Sequence, residues 1–155
     1  MALEIFCQID KVPCESNIKG YEKWFKVESF NLGGAYGFNA KEEAGAGTTD
    51  LSPVTFSKLI DKSTATLIDA VMYKLDVPKV VIEIVNDKKG SAAGGRSKHL
   101  TYTLEKCRIT SFQHSSGDPM YETFSIAYRI IKLDDHFTSQ KMQFDLGNPA
   151  AKTSL

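Results

Sequence analysis

The chain has 155 residues, 42% hydrophobic and 25% charged, with 19 Lys and Arg balancing 19 Asp and Glu at a formal net charge of zero. A chain this long predicts a single domain over residues 1–155, with a core large enough to fold without disulfides or metal. Balanced charge gives no support to a general nucleic-acid binder, which carries a basic excess. No apolar run reaches the about 18 residues that a membrane-spanning helix needs.

The opening Met1-Ala2-Leu3-Glu4 has neither the basic start nor the long apolar stretch of a Sec-type leader. This predicts folding in the cytoplasm, with any export by a route that reads no cleaved leader. Leu3, Ile5, Cys7 and Ile9 then alternate with Glu4, Gln8 and Asp10, the period of a strand with one buried face. Phe6 interrupts the polar side. Residues 13–20 read as a polar turn region. A second strand is expected over Trp24–Phe30, with Phe25 and Val27 inward and Lys26 and Glu28 outward. Gly33, Gly34 and Gly37 then break the pattern around Tyr36 and Phe38, as at a bulge or close backbone approach.

Residues 40–50 lack periodicity. They hold Lys41, Glu42 and Glu43 and then Gly45-Ala46-Gly47-Thr48-Thr49-Asp50, a loop of a length that is usually functional or mobile. Val54 and Phe56 begin another alternating strand, which runs to Leu59. The period then changes. Ser63-Thr64 is a helix-start signal, and Leu67, Ile68, Val71, Met72 and Leu75 recur at helical spacing. Lys74 falls in the expected last turn and Pro78 just beyond it, giving one helix over about residues 64–76.

Residues 80–85 are almost continuously apolar, broken only by Glu83, so this strand is expected to be covered on both faces, on one by the core and on the other by the helix or a partner. Asp87–Ser97 reads as a Gly/Ser/Lys loop. Leu100, Tyr102 and Leu104 alternate, and Cys107 and Ile109 continue on the opposite parity, which places a bulge or bend at Glu105-Lys106. Ser115–Pro119 is a turn. Phe124, Ile126, Tyr128 and Ile130 form the clearest strand, and Met142, Phe144 and Leu146 a last short one. Seven or eight strands and one helix make a mostly β domain, a sandwich or a small barrel.

Catalytic or metal chemistry is not indicated. His99, His114 and His136 have no zinc-ligand spacing, and Asp134-Asp135-His136 reads as a solvated strand end. Residues 90–95 are glycine-rich, but a strand pattern rather than a helix follows, which a phosphate loop does not allow. Cys7, Cys14 and Cys107 are too few for a disulfide framework. Cys14 is expected to be the most exposed thiol, and cytoplasmic folding argues against a Cys7–Cys14 bridge. No catalytic, cofactor-binding or metal residues are assigned. Apolar strands and the long loop point instead to association through strand edges.

The run Val54-Thr55-Phe56-Ser57-Lys58-Leu59-Ile60-Asp61-Lys62-Ser63-Thr64-Ala65-Thr66-Leu67 resembles the haemolysin-coregulated protein (Hcp) family of type VI secretion. Ile5–Asp10 with Glu15-Ser16, Val27–Phe30, Leu104–Cys107, Glu122–Lys132 and Phe144–Asn148 fit the same resemblance. Cys14, Leu32 and Pro149 depart from the family pattern, standing where it has Gly, Trp and Lys. The resemblance implies a small β-barrel of two packed antiparallel sheets with one flanking helix. It implies a structural subunit without enzymatic activity or cofactor, forming homohexameric rings that stack into the inner tube of a contractile machine. Implied partners are further copies of the chain, the sheath, spike and baseplate, and small effector proteins in the lumen. Nucleic acid and membrane insertion have no place in it. Such a protein moves from the bacterial cytoplasm to the medium or a target cell without a cleaved leader. Lys41, Glu42, Glu43, Gly45, Gly47, Thr48, Thr49 and Asp50 are the expected contacts to a neighbouring subunit or ring, from the loop's length, glycine content and charged head. A phage-type tail tube protein and a monomeric ligand-binding barrel are the alternatives.

Overall fold

A computed structural model describes residues 2–14, 16, 18–36, 49–87 and 96–147. The elements within them are β1 (Ala2–Ile9), β2 (Phe25–Val27), β3 (Ser29–Asn31), β4 (Gly34–Tyr36), β5 (Thr49–Leu51), β6 (Val54–Leu59), α1 (Thr64–Met72), β7 (Asp76–Asp87), β8 (Arg96–Ser115), β9 (Tyr121–Ala127), β10 (Ile130–Asp135) and β11 (Gln140–Asp145). The fold is mostly β with one helix, in a nine-stranded antiparallel sheet and a two-stranded β4–β5 ribbon.

β8 is the spine of the large sheet. β7 pairs with it on one side, while β9 and then β10 pair with it on the other. Arg108 faces Ala127 and Glu105 faces Ile130 in one continuous register, so the strand read over Phe124–Ile130 runs from β9 into β10, interrupted at Tyr128 and Arg129. The interruption lies opposite Lys106, whose φ of 54° marks the bend expected at Glu105-Lys106. Across it the inward parity moves from Leu104 to Cys107 and Ile109, all buried. The outer partner changes too: β9 pairs with β6, whereas β10 pairs with β11.

The expected Trp24–Phe30 strand is also divided. β2 pairs with β1, and β3 pairs with β6 at the far end of the strand order. Only Glu28 separates β2 from β3, and its N–H donates to Ser57 O of β6 at 2.8 Å. The sheet therefore curls back on itself through this bent run rather than through an unbroken ladder. Inside the curl, the Phe25, Phe56 and Phe124 rings follow one another at centroid distances of 5.6 and 5.7 Å. Val80, Ile82, Leu104, Ile126 and the helix residue Leu67 fill the remainder.

A second apolar cluster lies on the outer side of β1 and β7. Phe6, the residue that breaks the polar pattern of β1, stacks on Tyr21 at 4.3 Å, and Val85, Ile18 and Trp24 complete the cluster. The Tyr21 hydroxyl donates to Glu83 at 2.7 Å, and Lys98 lies 3.3 Å from the same carboxylate. The second face of the apolar β7 run is thus covered here by the β1–β2 connection rather than by the helix.

The helix starts where expected and ends four residues early. Lys74 is not in its last turn: it adopts a left-handed φ of 53°, with the N–H groups of Lys74 and Leu75 donating to Val71 O and Ala70 O. That is the hydrogen-bond pattern of a Schellman stop, which ends a helix before the apolar spacing runs out. Leu67 is buried, whereas Met72 and Leu75 from the expected stripe are exposed. Ser63 occupies the N-cap position but makes no side-chain cap; its hydroxyl donates to Asp61 instead.

Candidate functional site

Two of the residues expected to contact a neighbour fall in the β4–β5 ribbon. Thr49 and Asp50 lie on β5, exposed, paired with Tyr36 and Ala35 of β4. Lys41, Glu42, Glu43, Gly45, Gly47 and Thr48 lie outside the described residues. The strands approach closely at Gly34, where a Cβ would stand 2.7 Å from the end of the Leu51 side chain and 3.5 Å from Asp50 O. Tyr36 is 60% exposed on the ribbon. At the other end of β6, Leu59 faces Tyr121, and Ile60 and Met120 flank that pair. All four are at least 40% exposed. Exposed apolar groups thus occur at both ends of one strand, where contacts with other chains are most readily made.

Between these ends is a buried polar cluster that sequence reading did not reveal. Lys58 and Glu122 face each other across β6 and β9 and are almost completely buried. Glu122 Oε1 accepts from Lys58 Nζ and, at 2.8 Å, from Thr64 Oγ1. Lys58 Nζ also donates to Asp61 Oδ1 at 2.7 Å and to Leu59 O at 3.2 Å, and lies 5.3 Å from the Phe25 ring centroid. His114 Nε2 stands 3.2 Å from Glu122 Oε2. The Asp61 N–H donates to Thr64 Oγ1, which ties the turn to the first residue of α1. The helix-opening run is therefore a clasp: Lys58, Asp61, Ser63 and Thr64 fasten α1 to the barrel through Glu122. One signal for it is in the sequence. Lys58 continues the inward parity of Val54 and Phe56, and Glu122 precedes that of Phe124 and Ile126.

The other residues considered for chemistry have structural tasks. Asp135 Oδ1 accepts from the N–H groups of Phe137 and Thr138, and the first of these bonds holds its carboxyl below the usual range. His136 Nε2 meets Thr101 Oγ1 at 2.8 Å. Cys7, Cys14 and Cys107 are free thiols, with Cys14 the least buried. Burial raises all three, Cys14 to about 11 and Cys107 to about 12. Among the described residues no His, Cys, Asp or Glu group is arranged to hold a metal ion.

A curled antiparallel β-sheet with one clasped helix belongs to the class of small, mostly β domains. The family model for the type VI secretion system effector Hcp matches residues 6–134, and the chain belongs to that family. No curated protein matches it. A solved type six secretion system protein is 20% identical with a TM-score of 0.80, covering 96% of this chain and 98% of its own. Hcp1 from Salmonella typhimurium is 16% identical at a TM-score of 0.79, over 96% and 98%. The secreted protein Hcp3 from Pseudomonas aeruginosa is 19% identical at 0.68, over 92% and 96%. At these identities the likeness shows the fold.

Proposed function

We propose that the protein is a structural, non-enzymatic subunit of a type VI secretion inner tube. A single domain of residues 1–155 forms homohexameric rings that stack head to tail, driven outward by a sheath and capped by a spike. The observation that carries this reading is the family match over residues 6–134, supported by structural likeness over nearly the whole of both chains. Head-to-tail stacking is heterologous and gives an open filament, and a net charge of zero limits self-repulsion within it. The lumen carries small effectors, and the protein leaves the cytoplasm with them. The segment holding Lys41, Glu42, Glu43, Gly45, Gly47, Thr48, Thr49 and Asp50 reaches a neighbouring subunit or ring. The barrel interior is filled by phenylalanine rings, so nothing favours a ligand-binding barrel.

Light scattering on a size-exclusion column, with negative-stain imaging of the peak, tests the ring. A mass near six chains and annular particles are expected, and a monomer at all concentrations contradicts the reading. Deleting Gly45–Thr49 is expected to abolish stacking; tubes that form unchanged without it remove the loop from the account.

A further inference from the structure

Within the clasp, the donors and acceptors do not match. A lysine ammonium has three N–H groups, and those of Lys58 go to Glu122 Oε1, Asp61 Oδ1 and Leu59 O. The hydroxyl proton of Thr64 goes to Glu122 Oε1, and that of Ser63 to Asp61 Oδ1. Glu122 Oε2 is left without a hydrogen bond, although the residue is fully buried. A buried acceptor without a donor destabilises the fold, and a charged one more so. The charges do not match either, since Glu122 and Asp61 face the single cation Lys58. The group at the open oxygen is His114, whose Nε2 lies 3.2 Å from Oε2. It comes from β8, directly opposite Glu122 of β9, with its ring 5.9 Å from that of Phe112 and its side chain partly open to solvent.

We infer that the clasp is tightened by a proton: charged His114 supplies the missing donor and the missing positive charge at Glu122 Oε2, and so seats α1 more firmly in mild acid. The proton comes from solvent, which the ring reaches. An imidazolium always carries a hydrogen on Nε2, whereas a neutral ring carries it there in only one tautomer and brings no charge. The other titratable groups around the cluster leave this balance unchanged. Cys7 on β1 and Cys14 in the turn that follows are thiols that burial keeps neutral. β2 contributes the Phe25 ring. Lys62 of the β6–α1 turn is exposed, where water and salt screen it. The contribution is present in mild acid, where an imidazole is charged, and absent at alkaline pH; an unfolded imidazole divides the two at about pH 6.5. It reaches the helix through Thr64, the first residue of α1, which shares Glu122 with Lys58.

Hydrogen–deuterium exchange over residues 64–72 tests this in three full-length chains at pH 5.5 and pH 8. They are the unsubstituted chain, His114→Gln with a neutral donor, and His114→Arg with a permanent cation. Light scattering first establishes a protein concentration at which all three have the same mass. Comparison at one pH cancels the chemistry of exchange, and His99 and His136 are common to all three. At pH 5.5 the Gln variant is expected to exchange about fivefold faster than the unsubstituted chain, the size of a partly exposed charge pair. At pH 8 the two are expected to match, and the Arg variant to be better protected than both. A Gln variant that differs equally at both pH values overturns the inference, because the contact is then indifferent to charge. A Gln variant that differs at neither overturns it too. Should the Gln variant not fold, the Arg variant carries the test: protection equal to the unsubstituted chain at pH 5.5 and greater at pH 8 is expected, and equality at both overturns the inference. The inference concerns the folded subunit and goes beyond the tube reading, so it stands or falls apart from ring formation.

Discussion

The barrel has a charged half around β10 and β11 and a hydroxyl half around β6 and β9; they share one core and one spine strand, yet finish their outer surfaces differently. On the charged half, ion pairs such as Lys132–Glu105 join β8 to β10 in partial contact with water. On the hydroxyl half, Ser57 and Thr123 join β6 to β9 through neutral bonds, and the only ion pair between those strands, Lys58–Glu122 among the described residues, is inside. Placement therefore matters more than number. An exposed pair decorates a sheet that already holds together, whereas a buried pair replaces apolar packing and has no water to fall back on.

The largest effect that sharpens this comparison is at the clasp. Lys58→Ala leaves Glu122 buried without its cation and is expected to cost about 3–5 kcal/mol in urea unfolding. Lys58→Met combined with Glu122→Leu is expected to recover most of that loss, since a well-packed apolar pair serves as well as a buried ionic one. Next comes alkaline pH. The Cys14 and Cys107 thiols sit at about 11 and about 12 in the fold, above an unfolded value of about 8.5. Their contribution is complete below that value and is lost as pH rises toward the folded ones, because the unfolded chain gives up its protons first. Melting temperatures measured from pH 7 to 11 should fall, and alkylation of Cys14 at pH 8 should be slow.

Smaller effects follow. Lys74→Gly relieves a left-handed backbone and is expected to gain about 1 kcal/mol, read as a raised midpoint. Lys132→Ala, on the charged half, is expected to lose less than about 1 kcal/mol, and nothing in high salt. Thr123→Ala, on the hydroxyl half, is expected to lose about 0.5 kcal/mol regardless of salt. If the Thr123→Ala loss depends on salt as strongly as the Lys132→Ala loss, the two halves are not distinct.

Much of the fold is legible in the sequence because its signals are local. The Val54–Phe56 alternation, the helix start at Ser63-Thr64 and the parity slip before Cys107 each depend on neighbouring residues, and each appears in the structure. What sequence reading misses depends on distant partners. Lys58 keeps the inward parity of its strand, but a buried cation there is explained only once Glu122, 64 positions away, is known to face it. Phe6 reads as an exception until Tyr21 covers it. Helix length fails for another reason: Leu75 keeps the apolar period, but the chain has already turned at Lys74, a stop made by backbone hydrogen bonds that apolar spacing does not record. The two-faced exterior is encoded as alternation too. It becomes visible only once register shows that the uncharged positions of β3, β6, β8 and β9 stand side by side.

A three-dimensional image reconstruction of unlabelled particles, resolved to the level of individual strands, tests the account most directly. The account predicts a six-fold ring around a central channel. A particle without six-fold symmetry, or one without a channel, contradicts it.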